Sequence, residues 1–196
     1  MSGHERPPLR LIRGGRGGVR IGAVRLAAAS PAKPPAVDGL VLEEDTWLIL
    51  SAGPEVTAPP DHPVRLLTEL HEAEPLAPGS VLVHRERPLT IMAVVHDFGA
   101  DPCCRPEWIT AALAGILRIC RERRLRSLLL PLFGVRHGKL KPEEIVPLII
   151  RTLGAGAPGH LKSILVAAPP GLEAEVGRLL SRAGEAQEEE HAVPPP

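Results

Sequence analysis

Residues 125–140 read Leu-Arg-Ser-Leu-Leu-Leu-Pro-Leu-Phe-Gly-Val-Arg-His-Gly-Lys-Leu, and this stretch decides the fold class of the chain. It contains a continuous apolar run at residues 128–132, which is too short for a typical helix and is interrupted by Pro131. A short, uninterrupted apolar run is typical of a strand that is buried on both faces of a sheet. We therefore expect a central strand at residues 128–132.

The residues that follow predict a loop and then a helix. Glycines stand at both ends of residues 134–138, here called the glycine loop, and Pro142 precedes Glu143 and Glu144 as a helix start. A strand, a glycine loop and a helix in this order can present backbone N–H groups to an anion. An ordinary turn between a strand and a helix explains the same glycines, so spacing alone leaves both interpretations open.

Hydrophobic spacing along the rest of the chain favours an α/β fold with parallel strands. The clearest helix is predicted at residues 106–124, with Pro106 at its first position and apolar residues at helical spacing. Strands alternate with helices after residue 80, which is typical of layered α/β structures. The other predicted elements are strands at 19–26, 80–84, 90–96 and 162–167, helices at 64–70, 143–153 and 171–180, a linker at 27–36, and buried apolar segments at 37–42 and 47–50.

Four segments, in the right order, resemble the macro domain family. Residues 131–138 (Pro-Leu-Phe-Gly-Val-Arg-His-Gly) resemble its second phosphate-binding loop, where a buried strand ends in proline and continues as Gly-Thr-Gly-x-Gly. Residues 90–96 resemble the family strand that ends in Val-Ile-His, residues 78–84 resemble Pro-Gly-Glu-Ala-Val-Val-Thr, and residues 37–41 (Val-Asp-Gly-Leu-Val) resemble Val-Asp-Ala-Ile-Val. The resemblance covers residues 19 to about 180 and implies a three-layer α/β/α fold with a mixed central sheet.

The resemblance also implies a domain organisation and a ligand. A macro-like domain at residues 19–183 is expected between a disordered basic, glycine-rich tail (1–18) and a disordered acidic, proline-rich tail (184–196). Macro domains bind ADP-ribose: an Asp near the first strand contacts the adenine, two glycine loops hold the diphosphate, and an Asn meets the distal ribose. The implied ligand-binding residues of this chain are Asp45, Ser51, Ala52, Gly53, Gly134, Val135, Arg136, His137 and Gly138.

The chain departs from the family pattern at several of these positions. Gly22-Ala23 is matched to the family Gly-Asp, so the adenine carboxylate is absent, and Leu42-Glu43-Glu44-Asp45 is matched to Asn-Ala-Ala-Asn. Pro54 removes an N–H from the first loop, and Arg136 replaces a glycine of the second. The loss of these hydrogen bonds is expected to weaken ligand binding, whereas Arg136 adds a side chain that can donate two hydrogen bonds to a phosphate and offset part of the loss.

Metal and cofactor sites are not predicted. The triplet Glu43-Glu44-Asp45 has the chemistry to hold a divalent cation, but a solvated acidic turn is the favoured interpretation. The three cysteines lack paired metal-ligand spacing and the histidines are scattered along the chain. We therefore expect neither a bound metal ion nor a cofactor.

The composition of the chain argues against nucleic acids and membranes as binding partners. The 23 acidic and 23 basic residues cancel, which argues against steering of the whole protein to nucleic acid or membrane. The run Arg13-Gly14-Gly15-Arg16 is favoured as a flexible basic tail over an RNA-binding element. Because no apolar run approaches 18 residues and no signal sequence is present, a cytoplasmic protein is expected.

Three functions are compatible with these observations. The first is a binding module for ADP-ribose or a related nucleotide diphosphate, and the second is a degenerate macro domain that acts as a structural or protein-interaction module. The third is an ADP-ribosyl or phosphoester hydrolase, for which His96 and His137 are the candidate bases but no nucleophile is marked by a motif. The catalytic residues of such an enzyme remain unassigned, and little hydrolase activity is expected.

Overall fold

The chain forms a seven-stranded mixed sheet. The computed structural model describes residues 18–30, 36–50, 74–86 and 89–191. The sheet order is β1-β2-β7-β6-β3-β5-β4, in which the two edge strands β1 and β4 run antiparallel to their neighbours and the inner pairs are parallel. The strands are β1 (Gly18–Ile21), β2 (Val24–Ala29), β3 (Gly39–Asp45), β4 (Val81–Glu86), β5 (Leu89–His96), β6 (Ser127–Pro131) and β7 (Ser163–Ala167).

Three helices within the described residues pack in one layer against this sheet: α1 (Pro106–Arg123), α2 (Pro142–Gly156) and α3 (Glu173–His191). Helix α1 contacts β4 and β5, α3 contacts β1 and β2, and α2 lies between the other two helices. Met92, Val94 and Leu129 alternate with the strand residues of the helix-side core and therefore point to the opposite face, where they are also buried. Both faces of the sheet are thus covered.

The predicted central strand is confirmed as β6, the fourth of the seven strands. Leu128 and Leu130 are buried in the helix-side core, while Leu129 is buried on the other face. The predicted helix at residues 106–124 is confirmed as α1, which ends where Arg124 adopts a left-handed backbone conformation and its N–H bonds to the Cys120 carbonyl. No helix among the described residues combines the length and apolarity needed to span a membrane.

The N-terminal prediction of one strand and a linker is wrong. Residues 18–29 form a hairpin, because Gly22 and Ala23 make a two-residue turn between β1 and β2. Gly22 has a φ of +56°, a conformation that glycine adopts without steric cost. Ala27, Ala28 and Ala29 were expected in a linker, but they form the end of β2 and pair with β7.

Three further expectations differ from the structure or lie beyond it. Trp47 and Ile49 are 47% and 63% exposed, so the apolar segment at 47–50 is not buried as expected. Helix α3 continues to His191, well past the predicted end at residue 180 and into the acidic segment assigned to the tail. The expected N-terminal tail (1–18) lies outside the described residues except for Gly18, which begins β1, and the predicted helix at 64–70 and the last five residues (192–196) also lie outside them.

Asp38 fastens the start of β3 to the start of β6. Its Oδ2 atom accepts hydrogen bonds from the backbone N–H groups of Arg126 (2.9 Å) and Ser127 (3.0 Å) and from the Ser127 hydroxyl (3.1 Å). The Asp38 N–H in turn donates to the Ser127 hydroxyl oxygen at 2.9 Å. Since β3 and β6 are neighbours in the sheet, the Asp of the Val-Asp-Gly-Leu-Val segment sets their register.

We expect Asp38→Ala to lower the free energy of unfolding by about 1–3 kcal/mol, because it leaves the partly buried N–H of Ser127 and the exposed N–H of Arg126 without their charged acceptor. Urea unfolding followed by circular dichroism measures the change. Glu122→Ala, which removes an exposed carboxylate from α1, is the matched control and should shift the free energy by less than about 0.5 kcal/mol. Equal stabilities of the two variants would contradict this role for Asp38.

Candidate functional site

The carboxyl ends of β3, β5 and β6 meet at one edge of the sheet. These parallel strands end at Asp45, His96 and Pro131, and the glycine loop begins three residues after Pro131. Crevices at the carboxyl ends of parallel strands are the usual ligand sites of open α/β sheets. The edge therefore brings together the glycine loop and the residues that end β3 and β5.

The glycine loop is folded around the carbonyl oxygen of Gly134. That oxygen accepts the N–H groups of Gly138 (2.8 Å) and Leu140 (3.1 Å). Within the described residues, the backbone N–H groups of Arg136, His137 and Lys139 donate to no acceptor, and these three residues are exposed. The loop therefore offers three backbone N–H groups without an acceptor among the described residues, and two of the exposed residues that carry them, Arg136 and Lys139, are basic.

Both glycines of the loop are required by the packing around Cys104. Gly134 has a φ of +72°, and a Cβ atom there would lie 2.6 Å from Leu140 Cδ1 and 3.0 Å from Cys104 Sγ. A Cβ atom on Gly138 would lie 2.5 Å from Cys104 Cβ. The loop is thus pressed against the segment that follows β5.

The acidic triplet is not the solvated turn that its composition suggests. Glu43, Glu44 and Asp45 are the last three residues of β3; Glu44 and Asp45 are buried and the Glu43 side chain is only 13% exposed. One carboxylate oxygen of Glu43, Oε1, accepts the N–H of Gly134 at 2.7 Å and that of His96 Nε2 at 2.5 Å. Glu43 therefore ties the ends of β3 and β5 to the glycine loop.

Asp45 organises the turn that follows β3. Its carboxylate accepts the backbone N–H groups of Trp47 (2.7 Å), Ile49 (2.9 Å) and Leu50 (3.0 Å), and the residue is 2% exposed. Three backbone N–H groups therefore bind this carboxylate and hold the turn in place. The turn directly precedes the expected first phosphate loop in the sequence. The residues of that loop, Ser51, Ala52 and Gly53, lie outside the described residues.

His96 is completely buried at the end of β5. With Nε2 donating to Glu43, its Nδ1 atom is buried and has no partner within the described residues. The Phe98 ring stacks on the imidazole with centroids 5.6 Å apart, and the His137 ring meets it edge-on at 6.0 Å. The two candidate histidines are therefore neighbours, although only His137 is exposed.

Two cysteines complete the wall beside the loop. The Cys103 thiol donates to the His137 carbonyl oxygen at 3.8 Å. Burial raises the pKa of Cys104 to about 12, and the negative charge of Glu43 and the Cys103 side chain contribute in the same direction. Cys104 is therefore a neutral thiol at physiological pH and serves as packing for the loop.

The assignment of Ala23 to the adenine position is wrong. Ala23 lies in the turn between β1 and β2, and β2 runs parallel to β7, so this turn is at the amino ends of the parallel strands. The candidate site is at their carboxyl ends, on the opposite edge of the sheet. The chain returns to the site edge only after Ala29, and the segment 31–35 that follows lies outside the described residues.

The structure places Asp45, His96 and the five loop residues at one edge of the sheet, and sequence reasoning missed Glu43 and Phe98 as their neighbours. One signal pointed to Glu43: the resemblance matches it to an alanine, so a carboxylate stands where the family has a small residue. Within the described part of the chain, no three His, Cys, Asp or Glu side chains are grouped as metal ligands.

Comparison with known proteins gives matches only at the level of structure. Neither the models of protein families nor the curated protein sequences match this chain. The structure of the Oceanobacillus iheyensis macrodomain with ADP aligns with a TM-score of 0.60 and 14% identity, covering 89% of this chain and 96% of that one.

Two other macrodomain structures align in the same way. The macrodomain of Thermus aquaticus DarG aligns with a TM-score of 0.53 and 20% identity over 74% of this chain and 98% of that one. The Trypanosoma brucei macrodomain in complex with ADP aligns with a TM-score of 0.54 and 15% identity over 81% and 68% of the two chains. The chain therefore has the macrodomain fold, which confirms the expected three-layer α/β/α architecture.

Buried thiols give the protein a specific alkaline instability. Burial also raises the pKa of Cys120 to about 12, so below pH 9.0 Cys104 and Cys120 are protonated in both the folded and unfolded states. Above pH 9.0 the unfolded chain releases these protons while the folded protein retains them. Each thiol therefore lowers the free energy of unfolding by up to about 1.4 kcal/mol per pH unit.

We expect the free energy of unfolding to fall less steeply between pH 9 and 10.5 in the Cys104→Ala/Cys120→Ala variant than in the wild type. The chain has no tyrosine, which removes one competing titration in this range. Urea unfolding under reducing conditions measures both slopes, and the slopes at pH 7–8 serve as the control because they should agree. Parallel curves above pH 9 would contradict the role of the buried thiols.

Proposed function

We propose that this protein is a binding module for ADP-ribose or a related nucleotide diphosphate, with the glycine loop as its phosphate contact. The observation that carries the proposal is that the backbone N–H groups of three exposed residues, Arg136, His137 and Lys139, have no acceptor within the described residues. Backbone N–H groups that converge in a loop between a strand and a helix form a favourable site for phosphate oxygens.

Two structural neighbours support this ligand class. The Oceanobacillus iheyensis and Trypanosoma brucei macrodomains that share the fold were solved with ADP. ADP carries the same diphosphate that a loop of this kind recognises in ADP-ribose. The shared fold and the free loop donors together favour a nucleotide diphosphate over a ligand without phosphate.

Arg136 is the proposed charged donor of the site. The residue is exposed, and its guanidinium has no ion pair or hydrogen bond within the described residues. A guanidinium forms two parallel hydrogen bonds with a phosphate, which compensates for the glycine that the resemblance expects at this position. The backbone N–H groups of His137 and Lys139 add donors in the same loop.

The first phosphate loop enters the proposal as a second contact. The resemblance implies that Ser51, Ala52 and Gly53 contact the diphosphate, and Asp45 would act by holding the turn of residues 46–50 that precedes them. The support is the set of backbone hydrogen bonds that Asp45 accepts from Trp47, Ile49 and Leu50, the last of which directly precedes Ser51.

One observation favours the alternative of a structural module without a nucleotide. The Glu43 carboxylate already accepts the first N–H of the glycine loop, so a negative charge of the chain itself stands beside the proposed phosphate position. The hydrolase alternative is not proposed: of its two candidate bases, His96 is completely buried with Nε2 bound to Glu43, and no motif marks a nucleophile for the exposed His137.

We expect Arg136→Ala to weaken binding of ADP-ribose and of inorganic pyrophosphate by about 10- to 100-fold, because it removes a charge-assisted hydrogen bond worth roughly 1.5–3 kcal/mol. Isothermal titration calorimetry measures both affinities, and both should fall further as salt rises. Arg118→Ala removes an exposed arginine from α1 and is the matched control, which should bind as the wild type does.

Arg136→Gly distinguishes the two functions. This variant restores the glycine of the family pattern, so in a working phosphate site it weakens binding as Arg136→Ala does. Stronger ADP-ribose binding by Arg136→Gly would show that the arginine obstructs the cleft and would favour the structural module. No heat of binding with either ligand in the wild type would contradict the proposed function.

A further inference from the structure

The inner end of the glycine loop is bound to a carboxylate of the chain itself. Glu43 Oε1 lies 2.7 Å from the Gly134 nitrogen and accepts its N–H. The same oxygen accepts the N–H of His96 Nε2 at 2.5 Å, and the Glu43 side chain is only 13% exposed. The carboxylate oxygen takes the place of the phosphate oxygen to which such an N–H donates in an anion site.

The surrounding packing holds this contact in place. Glu43 pairs with Ala93 of β5 in the middle of the sheet, so its backbone position is fixed by strand pairing. Gly134 is pressed against Cys104, since a Cβ atom there would lie 3.0 Å from the Cys104 sulfur. The loop therefore has little room to move away from the carboxylate when a ligand arrives.

The negative charge of Glu43 acts on the groups around it. It contributes to the raised pKa of the neighbouring Cys104 thiol, after the larger effect of burial. An anion that approaches the Gly134 N–H consequently meets a like charge at close range in a partly buried environment, where solvent screening is weak. Binding at that N–H requires the carboxylate to give up its hydrogen bond.

We propose that Glu43 is an internal competitor of the anionic ligand: its carboxylate holds the Gly134 N–H and thereby limits the affinity and the number of loop donors that a diphosphate can use. The inference rests on the proposed function, since it concerns the same loop. In the wild type the ligand is left with the outer donors at Arg136, His137 and Lys139, and the inner donor becomes available only when Glu43 is removed.

Two substitutions at Glu43 test the inference. Glu43→Ala removes both the charge and the hydrogen bond, and it restores the residue that the resemblance matches to this position. Glu43→Gln keeps the shape and an acceptor for Gly134 but removes the charge. Glu122→Gln, an exposed acidic residue on α1, controls for the change in net charge.

Calorimetric titration with ADP-ribose and with inorganic pyrophosphate is the primary measurement. We expect Glu43→Ala to bind both at least about tenfold more tightly than the wild type, Glu43→Gln to gain less, and Glu122→Gln to be unchanged. Nuclear magnetic resonance provides a second readout. The chemical shift of the Gly134 N–H should change on addition of ligand in Glu43→Ala and change much less in the wild type. A merely structural role for Glu43 predicts weaker binding instead of stronger.

The outcomes separate this inference from the proposed function. If the wild type binds but neither folded Glu43 variant binds more tightly, the inference is wrong and the proposed function stands. If only Glu43→Ala binds, the inference is supported and the wild type is the structural module. If the wild type and both folded variants fail to bind either probe, both proposals are overturned.

Discussion

The burial of β6 on both faces is the constraint on which the rest of the structure depends. A strand covered on both sides is largely apolar, and such strands are typical of parallel sheets, in which helices return across the faces. Because β3, β6 and β7 are parallel neighbours, their carboxyl ends meet at one edge. The glycine loop emerges at this edge because it follows β6, and its position is therefore a consequence of the core.

Local sequence patterns were sufficient for the elements that depend on local rules. The apolar run of β6 and the helical spacing in α1 each identify an element without knowledge of its neighbours. The hairpin of β1 and β2 was missed because a two-residue turn at Gly22 and Ala23 barely interrupts the pattern of apolar residues. That error moved Ala23 to the wrong edge of the sheet and led to the incorrect inference that it marks a lost adenine contact.

The site could be predicted only in part, because its polar contacts join residues that are distant in sequence. The glycine loop was recognisable from its spacing, whereas the burial of the acidic triplet was not. Glu43 is 91 residues from Gly134 and 53 residues from His96, and nothing within β3 indicates that these partners exist. The partners of Asp45 are local, but three consecutive acidic residues are typical of a solvated turn. Only the structure shows that they are the last three residues of β3.

The charges at this edge are arranged by depth. The basic residues Arg136 and Lys139 are exposed in the glycine loop, while the carboxylate of Glu43 is bound to Gly134 at the buried start of the loop. The net charge of the chain is zero, so attraction of an anion depends on this local arrangement and weakens beyond a Debye length of about 8–10 Å. In the proposed binding module an anion would be attracted at the surface and opposed further in, so the depth of penetration, and not the overall charge, would decide which phosphate ligands bind.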